Sequence, residues 1–68
     1  MLKTRVKDLS VGQSFCFETC CMWYVVISVS KFSIIVHKYA GFEFMGTGFV
    51  PLADQRFVTV LEKGGSHA

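Results

Sequence analysis

The chain is short of charge. Only 18% of its 68 residues are Asp, Glu, Lys or Arg, and seven basic side chains against five acidic ones leave a formal net charge of +2. So mild an excess excludes a protein held to nucleic acid chiefly through phosphates, which needs a dense basic stripe. The carboxylates Asp8, Glu18, Glu43, Asp54 and Glu62 stand singly along the chain. No spacing pairs two of them for acid–base work and no nucleophile elbow occurs, so no catalytic residue and no enzyme activity are expected. Gly46-Thr47-Gly48 lacks the Lys-Ser/Thr ending and the following helix of a phosphate loop; a bulge or tight bend is expected there instead.

Long apolar runs are also missing. The longest window, residues 20–36, is broken by Lys31 and by Ser28, Ser30 and Ser33, and its period is two rather than helical. It does not read as a membrane-spanning helix. The opening Met1-Leu2-Lys3-Thr4-Arg5 has no apolar run of the kind a signal peptide carries, and a cytoplasmic location is expected. The three cysteines, Cys16, Cys20 and Cys21, are odd in number with two adjacent, which suits a reducing compartment better than a disulfide framework. One thiol cluster with His37 falls short of the two short-spaced pairs of a structural zinc site, so neither metal nor cofactor is expected. Proline occurs once, at Pro51, where it ends a strand because it has no N–H to donate.

What the chain has in excess is apolar side chains: 51% of residues are hydrophobic, among them seven Phe, two Tyr and one Trp. Residues 22–38 carry two β-branched and aromatic runs around the break Ser30-Lys31-Phe32, the pattern of a β-hairpin. Further short alternating runs, bounded by Gly12, Gly41 and Pro51, complete an all-β reading with strands near 14–17, 22–29, 33–38, 42–50 and 57–61. Residues 52–56 suit a single tight or 3₁₀ turn. Leu9 and Val11 are expected as buried residues covering one end, with Gly12 turning the chain into the next strand. If the opening residues form a strand, Lys3, Arg5 and Lys7 share one of its faces. One small domain over residues 1–62 is expected, with a frayed tail at 63–68.

Two patterns resemble the SH3-like small-barrel group. Leu9-x-Val11-Gly12-x-x-Phe15, followed by the aromatic-led Trp23-Tyr24-Val25-Val26, is similar to short bacterial and bacteriophage barrel proteins. Gly48-Phe49-Val50-Pro51, a short turn and then a strand from Phe57 resembles the stretch in which SH3 domains pass through a 3₁₀ turn into their last strand. The resemblance implies a five-stranded barrel and a phage-type origin, with a host protein as a candidate partner. It does not imply proline-rich peptide binding, because the acidic loop and the aromatic-rich opening motif are absent.

Counting faces by strict alternation puts Trp23, Val25, Ile27 and Val29, with Ile34 and Val36, in the core. Met22, Tyr24, Val26 and Ile35 then lie on the opposite face and are the expected interface of a homo-oligomer. Ordering 68 residues costs on the order of 100 kcal/mol at ~1.5 kcal/mol each, so a domain this small gains from a partner that covers spare apolar surface. The expected function is a non-enzymatic binding or inhibitor protein acting by protein–protein contact. The competing reading is a nucleotide or nucleic-acid binder, including one that sequesters a nucleotide signal. Its subunit-interface pocket would use Phe32, Lys38, Tyr39, Phe42, Phe44, Phe49 and Arg56, because aromatic rings stack on bases and cations neutralise phosphate.

Overall fold

The structure, a computed structural model, describes residues 2–18 and 21–61. Six strands follow one another: β1 (Leu2–Arg5), β2 (Ser14–Phe17), β3 (Trp23–Val29), β4 (Ser33–Ala40), β5 (Glu43–Pro51) and β6 (Phe57–Leu61), with a 3₁₀ turn at Val6–Asp8. They form one antiparallel sheet in the order β1-β6-β2-β3-β4-β5, in which β1 and β5 are the edges. The described residues are all-β, as the alternation predicts, but among them there are six strands and the sheet is not closed. The additional strand is β1, which pairs Leu2–Arg5 with Val60–Phe57 of β6. Lys3 and Arg5 do share a face there, whereas Lys7 has left the strand for the 3₁₀ turn.

A flat sheet of six strands at ~4.8 Å spacing would be close to 10 Å thin. The Cα extents here are 30 × 23 × 23 Å, so the sheet is strongly curled around one core. That core contains Val6, Leu9, Phe15, Phe17, Val26, Ile34, Val36, Val50, Val58 and Val60, with Tyr24 and Leu52 packed against it. Every strand from β2 to β6 contributes to it, so the core ties the two halves of the sheet together. Leu9 is buried as expected, but Val11 is 62% exposed: the turn that Gly12 makes at φ 94° carries it into solvent.

The hairpin at residues 22–38 forms with the reverse of the expected facing. Val26 is 1% exposed and Tyr24 lies half-buried against the core, whereas Ile27 and Val29 are exposed and Trp23 and Val25 are only half-buried. Pairing explains this. Phe15 lies opposite Tyr24 and Val26 opposite Val36, which places Tyr24 and Val26 on the inner face. Beyond Val26 the register shifts, so that Ser28 meets Ile35 and Val29 meets Ile34. Ile27 is the extra residue of a β-bulge, and a bulge moves the period-two pattern on by one. No single parity describes this strand. Ile34 and Val36, at 0% and 2% exposure, are core residues as expected.

The second hairpin turns at Gly41-Phe42, since Ala40 already pairs with Glu43. Tyr39 and Ala40 therefore belong to β4, and Phe42 sits at the turn tip rather than starting a strand. Gly41 has φ 63° and Phe42 does not have a positive φ, the pattern of a type II′ hairpin turn. A second bulge lies in β5: Tyr39 faces Phe44 and Lys38 faces Gly46, leaving Met45 as the extra residue. Gly46 takes φ 114° there, so the expected irregularity is a bulge and β5 runs on through it to Pro51. Residues 51–54 form a tight turn closed by the Asp54 N–H donating to the Pro51 carbonyl at 3.1 Å. Of the tight or 3₁₀ turn expected over 52–56 it is the tight turn that forms, and the 3₁₀ turn after β1 is an additional element. The tail expected at 63–68 and part of the loop before β3 lie outside the described residues.

Candidate functional site

Cross-strand partners point to the same side of a sheet, so the register fixes which residues share the outer surface of β3, β4 and β5. Three rows result. Trp23, Tyr39 and Phe44 lie side by side; Val25, His37 and Thr47 form the next row; Ser28, Ile35 and Phe49 form the third, with the bulged Ile27 beside them. In the first row the Trp23 and Tyr39 rings stack with centroids 4.5 Å apart at 16°, and Phe44 meets Tyr39 edge-on at 5.7 Å. His37 sets its ring against Phe44 at 5.0 Å and 75°. Trp23 Nε1–H donates to the Gly41 carbonyl at 2.7 Å, which fixes the indole and the β4–β5 turn together.

Among the described residues, no other part of the chain covers this surface. Phe49 is 69% exposed, Phe44 51%, and Phe42 at the adjoining tip fully so. Three exposed Phe side chains at one face and its adjoining tip are an unusual feature in a domain whose own core is already filled.

The opposite end of the sheet has a different character. Arg5, on β1, lies over the Phe57 ring at 4.7 Å and donates to Gln55 Oε1 at 2.9 Å. Arg56 lies over Phe17 at 4.1 Å and grips Asp54 twice, through Nε to Oδ1 at 3.0 Å and Nη2 to Oδ2 at 2.7 Å. The Arg56 side chain, aided by its backbone N–H on the same carboxylate, holds Asp54 below the ordinary carboxylate range. Lys3 pairs with Glu18. An open cleft of about 240 Å³ between Phe17, Glu18, Arg56 and Phe57 is thus lined by one cation, Arg56, which already holds the Asp54 carboxylate.

The expected interface set is split by the structure. Ile35 lies on the outer face, but Val26 is in the core, and Tyr24 stacks on Phe15 at 5.3 Å and meets Phe17 at 5.7 Å. Neither can meet a partner across the outer surface. Met22, just before β3, is half-buried.

The expected ligand set is split too. Tyr39, Phe44 and Phe49 share the outer face with Phe42 beside them, whereas Phe32 stands at the β3–β4 turn, the other end of β4. Lys38 belongs to the inner side of the sheet, where it is the nearest side chain to the Gly48 backbone. Arg56 stands just before β6, on the far half of the sheet, against Phe17. The phenylalanines and the cations nominated for one pocket are therefore separated.

Trp23, Val25, His37 and Thr47 complete the face and are absent from both expected sets. His37 is legible as lying opposite Ile34 and Val36 by alternation in β4, whereas Trp23 and Val25 face outward only because of the Ile27 bulge, which alternation does not reveal. Among the described residues no three His, Cys, Asp or Glu side chains converge; Cys16 and Cys21 are free thiols. No protein-family model matches the chain, and neither curated proteins nor solved structures yield a match.

Proposed function

We propose that this chain is a non-enzymatic binding protein that works by protein–protein contact through the outer face of β3, β4 and β5. A single sheet curled around one core supports reading the fold as a partly open barrel of the SH3-like kind. The observation that carries the functional reading is the aromatic row Trp23–Tyr39–Phe44 with Phe49 exposed two rows away on the same face. Buried aromatic anchors surrounded by uncharged side chains are what protein interfaces use, and they are costly to leave in water. The nucleotide reading is weaker on two grounds. The cations it requires sit on the inner side or across the sheet, and Arg56 spends its guanidinium on Asp54.

The test is a photo-reactive phenylalanine analogue at position 49, irradiated in the producing cell. An adduct that migrates as a protein–protein species is expected. An adduct to nucleic acid would support the competing reading, and no adduct at all would remove position 49 from any contact.

A further inference from the structure

The outer face of β3, β4 and β5 bears no formal charge. Its aligned side chains are aromatic, aliphatic or hydroxylic, apart from the imidazole of His37. Among the described residues the cations lie elsewhere: Lys3, Arg5 and Arg56 at the β1–β6 end, Lys7 in the 3₁₀ turn, Lys38 on the inner side and Lys31 at the β3–β4 turn. A charged partner would find no counter-charge here, whereas a second copy of the same face meets it without repulsion.

The area agrees. Phe42, Phe44 and Phe49, at 103%, 51% and 69% exposure, leave on the order of 450 Å² of aromatic surface in water at ~200 Å² per side chain. With Met45, Ile27 and the half-buried flank, the face reaches roughly the 800 Å² that one partner contributes to a standard interface.

We infer that this face is covered by a second copy of the chain, packed face to face about a two-fold axis that passes beside His37. The inference rests on the reading of the face as a protein-contact surface and names its occupant. His37 is the middle residue of the middle row on the middle strand, and in an isologous contact the centre of the patch meets its own copy. Neutral imidazoles can lie against each other there. Two imidazolium ions in a desolvated contact repel, and acid therefore opens the dimer. The residues facing His37 from the adjoining strands are Val25 on β3 and Thr47 and Phe44 on β5, none of which supplies a negative charge to compensate. The Arg5–Phe57 side stays uncovered in both copies.

The test is sedimentation velocity on the purified full chain at micromolar concentration, at about pH 8 and about pH 5, which bracket the charge change of an imidazole. The wild type is expected to be a dimer at the higher pH and mostly monomer at the lower. Phe49→Lys and Thr47→Lys, both at exposed positions that a folded monomer tolerates, are expected to weaken the dimer by at least about ten-fold. His37→Gln is expected to remain dimeric at both pH values, and circular dichroism checks that each variant is folded.

A monomeric wild type would overturn the inference. So would dimers that survive both lysine substitutions, or a His37→Gln dimer that acid opens as readily as the wild type. A monomeric wild type whose position 49 still cross-links to another protein in the cell would overturn the second copy and keep the contact face. Loss of both results would overturn both.

Discussion

Val26→Asp is expected to leave the chain unfolded, and Val29→Asp, three residues further along the same strand, to leave it folded. Val26 is 1% exposed between Val36 of β4 and the Gly12–Gln13 backbone, to which its own N–H and carbonyl are bonded. A carboxylate there has no partner, and an uncompensated buried charge costs about 3–5 kcal/mol. At ~0.05–0.15 kcal/mol per residue a domain of this length has only roughly 3–10 kcal/mol to lose. Val29 is 48% exposed, and a substitution at such a surface position usually stays within about 0.5 kcal/mol. Circular dichroism and urea titration read both outcomes. The reverse result, a folded Val26→Asp and an unfolded Val29→Asp, would restore the alternation that puts the odd residues of β3 inside.

The second large effect is expected at Phe15. This ring is fully buried, stacks on Tyr24 at 5.3 Å and meets Phe17 edge-on at 5.8 Å. Its backbone lies opposite Tyr24 on one side and Val60 on the other, so it stands where β6 and β3 are joined through β2. Phe15→Ala removes the side chain that holds the two halves of the sheet on one core. The expected cost is about 3–5 kcal/mol, because rigid strands on both sides keep the cavity from collapsing. Phe15→Leu, which keeps most of the volume, is expected to cost about 1.5 kcal/mol and stay folded. A Phe15→Ala protein that melts with the wild type would show that the core does not depend on this ring.

Much of the fold is legible from residue type. The turns announce themselves through Gly12, Gly41 and Pro51, and the β-branched runs through 23–29, 33–36 and 57–61 mark strands wherever the register lies. Facing is a different matter, because it depends on pairing. A two-residue turn at Lys31-Phe32 pairs Val29 with Ile34, and carried on without interruption it would pair Tyr24 with Tyr39 and Val26 with His37. The Ile27 bulge instead pairs Trp23 with Tyr39 and Val26 with Val36. Bulges are stabilised by the partner strand and the core beneath them, and Ile27 carries no local mark of one.

That one residue reverses the candidate site. It takes Tyr24 and Val26 inside and brings Trp23 and Val25 out beside His37 and Tyr39. The apolar surplus in the composition did foretell spare surface, and Tyr39, Phe44 and Phe49 do gather on it. The cations nominated with them fail to join because closeness in the chain is not closeness on a face: Lys38 lies between His37 and Tyr39 in β4 and, by alternation, points to the other side.

Hydroxyl-radical footprinting of aromatic side chains tests the central claim most directly. The protein is labelled dilute and isolated, then in the extract of its producing cell, and oxidation is compared at Phe44 and Phe49 against Phe57, which is 50% exposed at the other end of the sheet. Phe44 and Phe49 are expected to be protected in the extract while Phe57 is labelled equally in both. Equal labelling of Phe44 and Phe49, with protection at Phe57 instead, would contradict it.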